Sequence, residues 1–299
     1  MKTLREISET ALIHRLVGLV PRDHAPMAGP GDDCAVIDLG PQFQHLQLLK
    51  TDALVENVHF LPDAPARAVG WKAAARVVSD FAAMGGRPDR FLITLALPPE
   101  TAISWAEDLY RGIGDCLQAF GGLLAGGETT RVPTGSAAVI SISATGRVCR
   151  DHLVLRSTAK PGDALFVTGR LGGSIHGRHL DFTPRLREAE WLVRNQKPTA
   201  MMDLSDGLAQ DLPRLASASG CGFVVDEASL PLNPGCTPAQ ALGDGEDFEI
   251  LFTLAAPQTT ELVAAWPAFF PELSLTCIGR IVEVGSGDVL EGGWDHFAG

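Results

Sequence analysis

The chain has 299 residues, 45% hydrophobic and 20% charged, with a formal net charge of −12 and a mean hydropathy of +0.12. Such a composition can bury a large core, so a disordered or fibrous chain is excluded, and the length suits two domains of ordinary size. Nucleic-acid binding, which runs on Lys and Arg, is disfavoured.

Thr3 and Glu6 have the spacing of a capping box, and Leu4, Ile7, Ala11, Leu12 and Leu16 recur at helical intervals, which predicts a first helix over about residues 4–18. The following PRDHAPMAGPGDD reads as loop. CAVIDL and HLQLLKTD read as short strands around a Gly-Pro turn, and ARAVGWKAAARVVSDFAAM as a long helix closed by Gly85, Gly86 and Pro88. FLITLALP is a strand, a helix from about Thr101 stops at Gly121-Gly122, and LLAGGETTR and AAVISISATG are strand-like. Lys160-Pro161-Gly162-Asp163 ends a turn-rich stretch over 146–162 that marks a domain boundary, placed between residues 148 and 149. Beyond it come a strand (ALFVTG), a helix (TPRLREAEWLVRNQ) and a second helical stretch, MMDLSDGLAQDLPRLASAS, that Pro213 should kink or restart. GFVVDE, DFEILFTL and LSLTCIGRIVEV follow as strands. Both halves, 1–148 and 149–299, are therefore expected to be α+β.

No apolar run approaches the ~18 residues of a membrane span and the N-terminus lacks a signal-like stretch, so the expected location is the cytoplasm. The six cysteines are scattered without a CxxC pair and are expected to be reduced. There is no Walker A loop, GxGxxG, HExxH or GxSxG.

The acidic residues of interest sit at turns and element ends among small residues: Asp32-Asp33, Thr51-Asp52, Ser79-Asp80, Glu128, Asp203/Ser205/Asp206 and Asp244/Glu246/Asp247. Taken singly, each run is ordinary turn or cap chemistry. Taken together, they are what a hard cation such as Mg²⁺ needs, since it is held by several carboxylates plus substrate phosphates. If the helix already covers them, Asp203 and Asp206 share one face, and Ser205 could donate to a phosphate. The glycines of GGETT let backbone N–H groups approach phosphate oxygens.

In order, GDDCAV, TDALVENVHF, SDFAAMGGRP, GGETTR, LRSTAKPGD, MDLSDGL, GDGEDFEILF and WDHF resemble the thiamine-monophosphate kinase family, of the aminoimidazole ribonucleotide synthetase-like ATP-binding superfamily. The resemblance runs from about residue 29 to the C-terminus. It implies a two-domain α+β fold of mixed sheets packed with helices, an N-terminal ATP/Mg-binding domain, and a homodimer in which the N-terminal domains pair. It further implies transfer of the ATP γ-phosphoryl to thiamine phosphate with Mg²⁺. Carried over by position, Asp33, Thr51, Asp52, Asp80, Glu128, Asp203 and Asp206 fall on metal positions; Gly127, Glu128, Arg156 and Ser205 on ATP positions; and His59, Glu246 and Trp294 on substrate positions. No general base is implied, because the acceptor phosphate is already ionised.

Two positions depart from the family pattern. Lys50 stands where a small hydroxyl residue is usual, and could replace one metal ion electrostatically or turn away; Glu128 stands where Asp is usual. Both motivate a rival reading, a catalytically silent relative that binds nucleotide or thiamine phosphate. A superfamily cousin with another acceptor is the third reading. Cys34 is expected to be a small core residue with a raised pKa, not a nucleophile.

Overall fold

A computed structural model describes residues 3–21 and 27–297. Residues 22–26 of the loop expected before Gly31 thus lie outside the described residues. The first predicted helix is broken: a 3₁₀ turn, Leu4–Glu6, carries the Thr3/Glu6 capping box, and α1 (Glu9–Val17) starts afresh at Ser8, whose side chain accepts from Ala11 N–H.

Five strands form the first sheet: β1 (Ala35–Ile37), β2 (His45–Val55), β3 (Arg87–Leu97), β4 (Leu123–Arg131) and β5 (Val139–Cys149), in the order β1-β2-β5-β3-β4. The helices α2 (Ala66–Ala83) and α3 (Ile103–Phe120) lie between these strands in sequence, and α3 makes the crossover that lets β4 run parallel to β3. All other pairs in the sheet are antiparallel.

β6 (Ala164–Thr168), α4 (Leu186–Asn195), β7 (Ala200–Asp203), α5 (Leu208–Ala218), β8 (Cys221–Val225), α6 (Pro238–Gly243), β9 (Ile250–Leu254), α7 (Thr259–Phe269) and β10 (Leu275–Glu283) build the second half. Its sheet, ordered β7-β9-β6-β10-β8, is antiparallel throughout. β6 and β9 are buried on both faces. Phe166 and Phe252 stack at 5.4 Å within a core shared with α2 and the first sheet, while Leu165, Val167 and Leu251 face a second core with Leu212 and Ile278.

One helical expectation is overturned here. Residues 201–219 do not form a helical stretch: Ala200–Asp203 is the strand β7, and helix begins only at Leu208. The apolar run Ala200-Met201-Met202 is too short to carry a period, and Gly207, at φ 95°, holds a turn that a helix cannot include. Asp203 and Asp206 therefore do not share a helical face. Pro213 neither breaks nor restarts α5.

α2 is the central element, touching β2, β3 and β5 on one side and β7 and α4 on another. Its approach to α3 depends on glycine in both helices. A Cβ on Gly70 would stand 1.9 Å from Leu109 O, and one on Gly112 would stand 1.8 Å from Arg67 O. Gly70→Ala should cost about 3 kcal/mol, the upper range for overpacking, because backbone rather than a side-chain tip must move. Urea unfolding measures it; an unchanged midpoint would show that the helices can part freely.

Candidate active site

α2 is apolar along most of its length, yet Lys72, Arg76 and Asp80 recur every four residues and so line one face. That stripe faces the ends of β2 and β7 and the loops after β7 and α6. Ser79 and Asp80, in the helix's penultimate turn, meet Asp203 at the end of β7 and Asp33 in the turn before β1. One carboxylate oxygen from each of Asp33, Asp80 and Asp203 lies within 4.8 Å of the others, and all three side chains are buried.

Each member has a fixed partner. Arg156 grips Asp33 with both fork nitrogens, Nε to Oδ2 at 3.0 Å and Nη2 to Oδ1 at 2.5 Å. Lys50 Nζ donates to Asp80 Oδ1 at 2.6 Å, and Ser79 Oγ donates to Asp203 Oδ2 at 2.5 Å. Asp32 accepts from Asp33 N–H at 3.0 Å and thereby shapes the turn that presents Asp33.

Electrostatics agree with this geometry. Burial, then the neighbouring Asp33, raises Asp203 to about 6; burial and Asp33 also raise Asp32 to about 6. Burial pushes Asp80 well up although Lys50 opposes it, and Asp203 adds to the rise. Lys50 moves upward too, because Asp80 and Asp52 outweigh the burial that disfavours its charge. All four shifts have one meaning: the cluster takes up positive charge. Hard oxygen donors, close-set and short of positive charge, fit a hard divalent ion such as Mg²⁺. Cys34, beside them, is raised well above an ordinary thiol, first by burial and then by Asp80, as expected of an inert core thiol.

A second cluster is centred on Lys72, whose side chain is wholly buried. Its ammonium donates to His59 O at 2.6 Å and to Glu246 Oε2 at 2.8 Å, and lies 2.7 Å from His179 Nδ1. His59 is further fixed by Val55 N–H, donating to its Nδ1 at 3.0 Å, and its ring lies 5.5 Å from that of His296. Trp294 Nε1 is 3.2 Å from His296 Nδ1, and Trp294 N–H donates to Asp206 O at 2.8 Å. So the three expected substrate residues, His59, Glu246 and Trp294, are joined through two residues that the sequence reading missed, Lys72 and His296. Burial lowers Lys72 to about 8 despite Glu246. Burial opposes the ionisation of Glu246, but His179, Lys72 and Arg76 outweigh it and hold the carboxyl at about 2. Burial, then Arg76, draws His59 down to about 4, so its imidazole is neutral at pH 7.

Asp52 and Asp206 lie beside these clusters as ion-paired residues. Arg76 Nε is 3.0 Å from Asp52 Oδ2 without the alignment of a hydrogen bond, and Asp206 pairs with Arg214. Ser205 and Asp206 N–H groups donate to Asp211, at 3.0 and 2.9 Å, and Ser205 O accepts from Glu246 N–H at 2.7 Å. Thr51, between Lys50 and Asp52 on an alternating strand, points to the opposite face and lies 3.0 Å from Ser143 Oγ. Gly127 and Glu128 stand on the edge strand β4, Glu128 in register with Thr94, three strands from β2. Gly127 is required there, since a Cβ would meet Ile93 O at 2.0 Å. A cavity of about 610 Å³, lined by Arg170, Arg185, Trp266 and Phe270, lies apart from both clusters. None of the cluster residues lines it, so the carboxylates rather than the cavity mark the chemistry.

Two α+β halves meeting over a buried carboxylate cluster define an AIR synthase related protein: that family's N-terminal domain matches residues 31–148 and its C-terminal domain residues 173–290. Thiamine-monophosphate kinase of Rhodopirellula baltica is 37% identical over 270 residues, covering 85% of this chain and 83% of the relative; that of Escherichia coli K12 is 33% identical over 309 residues, covering 90% and 92%. A solved structure described as AaThiL complexed with AMPPCP and TMP superposes with a TM-score of 0.84 at 30% identity and covers 99% of both chains. The chain belongs to the thiamine-monophosphate kinase family.

Proposed function

We infer that this chain is a thiamine-monophosphate kinase, which transfers the γ-phosphoryl of ATP to thiamine phosphate and forms thiamine diphosphate and ADP. The observation that carries the reading is the buried trio Asp33, Asp80 and Asp203 in a chain with relatives of that activity. Mg²⁺, when bound, would neutralise phosphate oxygens. Asp33, Asp80 and Asp203 would hold it, with Asp52 and Asp206 close by and Thr51 offering backbone rather than hydroxyl.

An acceptor phosphate oxygen forms the new bond to the γ-phosphorus as the bridge to the β-phosphate breaks, and ADP leaves with that electron pair. The acceptor needs no deprotonation, so the protein positions and neutralises. Glu246 is anionic, matching a cationic heterocycle. Trp294 offers an aromatic face to the same group, and His59, neutral, lies between. Arg156, Ser205, Gly127 and Glu128 are assigned to the nucleotide.

Residues 1–148 act as the nucleotide and dimerisation domain and 149–299 as the second domain, in a cytoplasmic homodimer. Every residue of the edge strand β4 is exposed, Leu123 and Leu124 among them, and Leu92 is exposed on the adjoining β3. An apolar, unpaired edge of this kind calls for a partner. Pairing of two such edges would bring Gly127 and Glu128 to the subunit interface.

A coupled assay tests the activity. ADP release should require thiamine phosphate and Mg²⁺ together. Nucleotide binding without ADP release would favour the silent relative instead.

A further inference from the structure

Lys50 lies mid-strand in β2, and its four-carbon stem carries the ammonium across to α2, where it ends on Asp80 Oδ1 at 2.6 Å. Its side chain is only 22% exposed, and the Asp80 side chain 9%. Asp80 is one of the three carboxylates close enough to share an ion.

Charge decides what the contact means. Asp33, Asp80 and Asp203 each bring an oxygen to one place, Asp32 adjoins them through Arg156, and among the described residues the cations paired with these four are Arg156 and Lys50. Asp52 has its own cation, Arg76. With all four ionised, as a bound cation requires, the excess is two negative charges, the charge of a single divalent ion. A neutral residue at position 50 would leave three, and would free Asp80 Oδ1 as a ligand atom. Ammonium hydrogens cannot ligate a metal, and a fixed positive charge beside Oδ1 repels a second ion.

We propose that the Lys50 ammonium takes the place of one divalent ion at the Asp80 side of the cluster, so that this chain's site holds one metal ion fewer than it would with an uncharged residue there. The proposal rests on the reading of the cluster as the kinase metal site. It assigns Lys50 a positioning role: it neutralises Asp80 permanently, whereas a metal ion would come and go with the nucleotide.

Protein-bound Mn²⁺ can be counted by electron paramagnetic resonance in the presence of a β,γ-methylene ATP analogue, for the full chain and for Lys50→Thr and Lys50→Gln. Both variants should bind one more Mn²⁺ per chain than the parent. In chelator they should melt at lower temperature, a loss that Mn²⁺ reverses, because Asp80 is left unpaired. Equal, non-zero counts in all three proteins would overturn the role of Lys50 while leaving the metal site standing. No protein-bound Mn²⁺ in any of them would overturn the metal site and the proposal together. Should both variants fail to fold, anomalous scattering from the parent crystal with Mn²⁺ and the analogue decides. An ion on Asp80 Oδ1 with Lys50 swung aside overturns the proposal; Lys50 still on Oδ1 with ions only elsewhere supports it.

Discussion

Asp203→Asn is expected to lower turnover by about 100-fold or more while raising the melting temperature of the metal-free protein. The loss follows from removing one of three charged oxygen donors, which should cost more than the ~10–100-fold typical of groups that merely support a ligand. The gain follows from what the carboxylate does in the absence of metal: it is buried, and it repels Asp33 and Asp80. Asn keeps the side-chain carbonyl that accepts from Ser79 Oγ, so the local fold survives.

The pH dependence separates this cause from a packing effect. Asp203 has a folded pKa of about 6 against an ordinary 3.8, so the folded state binds its proton more tightly. The ionised group therefore destabilises the fold above pH 6, and that penalty fades as pH falls through 6 toward 3.8. The stability advantage of Asp203→Asn over the parent should be full near pH 7–8 and vanish near pH 4. Thermal melts in chelator across that range read it directly. An advantage independent of pH would refute the electrostatic cause, and near-normal turnover would refute the metal role.

Lys72→Met is expected to destabilise the chain by about 2–3 kcal/mol and to raise the KM for thiamine phosphate by at least about tenfold, with the KM for ATP little changed. Breaking a fully buried ion pair costs about 3–5 kcal/mol; the lower figure applies because Glu246 keeps 22% of its side chain exposed. Lys72 holds both Glu246 and the backbone of His59, two of the three residues assigned to the acceptor. Glu246 also sits at a positive φ of 52°, so its placement depends on such contacts rather than on its own backbone preference. The double variant Lys72→Met/Glu246→Gln should recover most of the stability without recovering acceptor affinity. Denaturant unfolding and initial rates distinguish the two readouts. Equal rises in both KM values would show that Lys72 supports the whole site rather than its acceptor end.

The carboxylate trio was legible in the sequence because each member sits at a turn or element end among small residues, where an acidic side chain is conspicuous. Lys72 was not, although the signal existed. A lysine at four-residue spacing from Arg76 and Asp80, in a helix otherwise rich in Ala and Val, has no solvated face to occupy and must be buried with a partner. β7 reads as helix in the sequence because four residues between a loop and a longer helical pattern show no period of their own. α6, which the sequence reading does not include, begins with a Thr237/Gln240 capping box and Pro238 in its first turn, so a start signal for it was present. What the sequence could not supply was convergence. That Lys50 meets Asp80 depends on strand β2 and helix α2 lying against each other, and that His296 meets His59 depends on the C-terminus returning to the first half.

The charged stripe on α2 gives the enzyme a fixed yardstick. Lys72, at the proposed acceptor end, and Asp80, at the proposed phosphoryl end, are eight residues apart on one helix, a rise of about 12 Å. Gly70 and Gly112 let that helix pack backbone to backbone on α3, which anchors both ends of the interval to one element. With the roles proposed above, an acceptor has to reach Glu246 with its cationic end while its phosphate lies at the carboxylates. A short phosphate ester that reaches Asp80 but falls short of Glu246 is expected to be a poor acceptor, which its KM against that of thiamine phosphate would show.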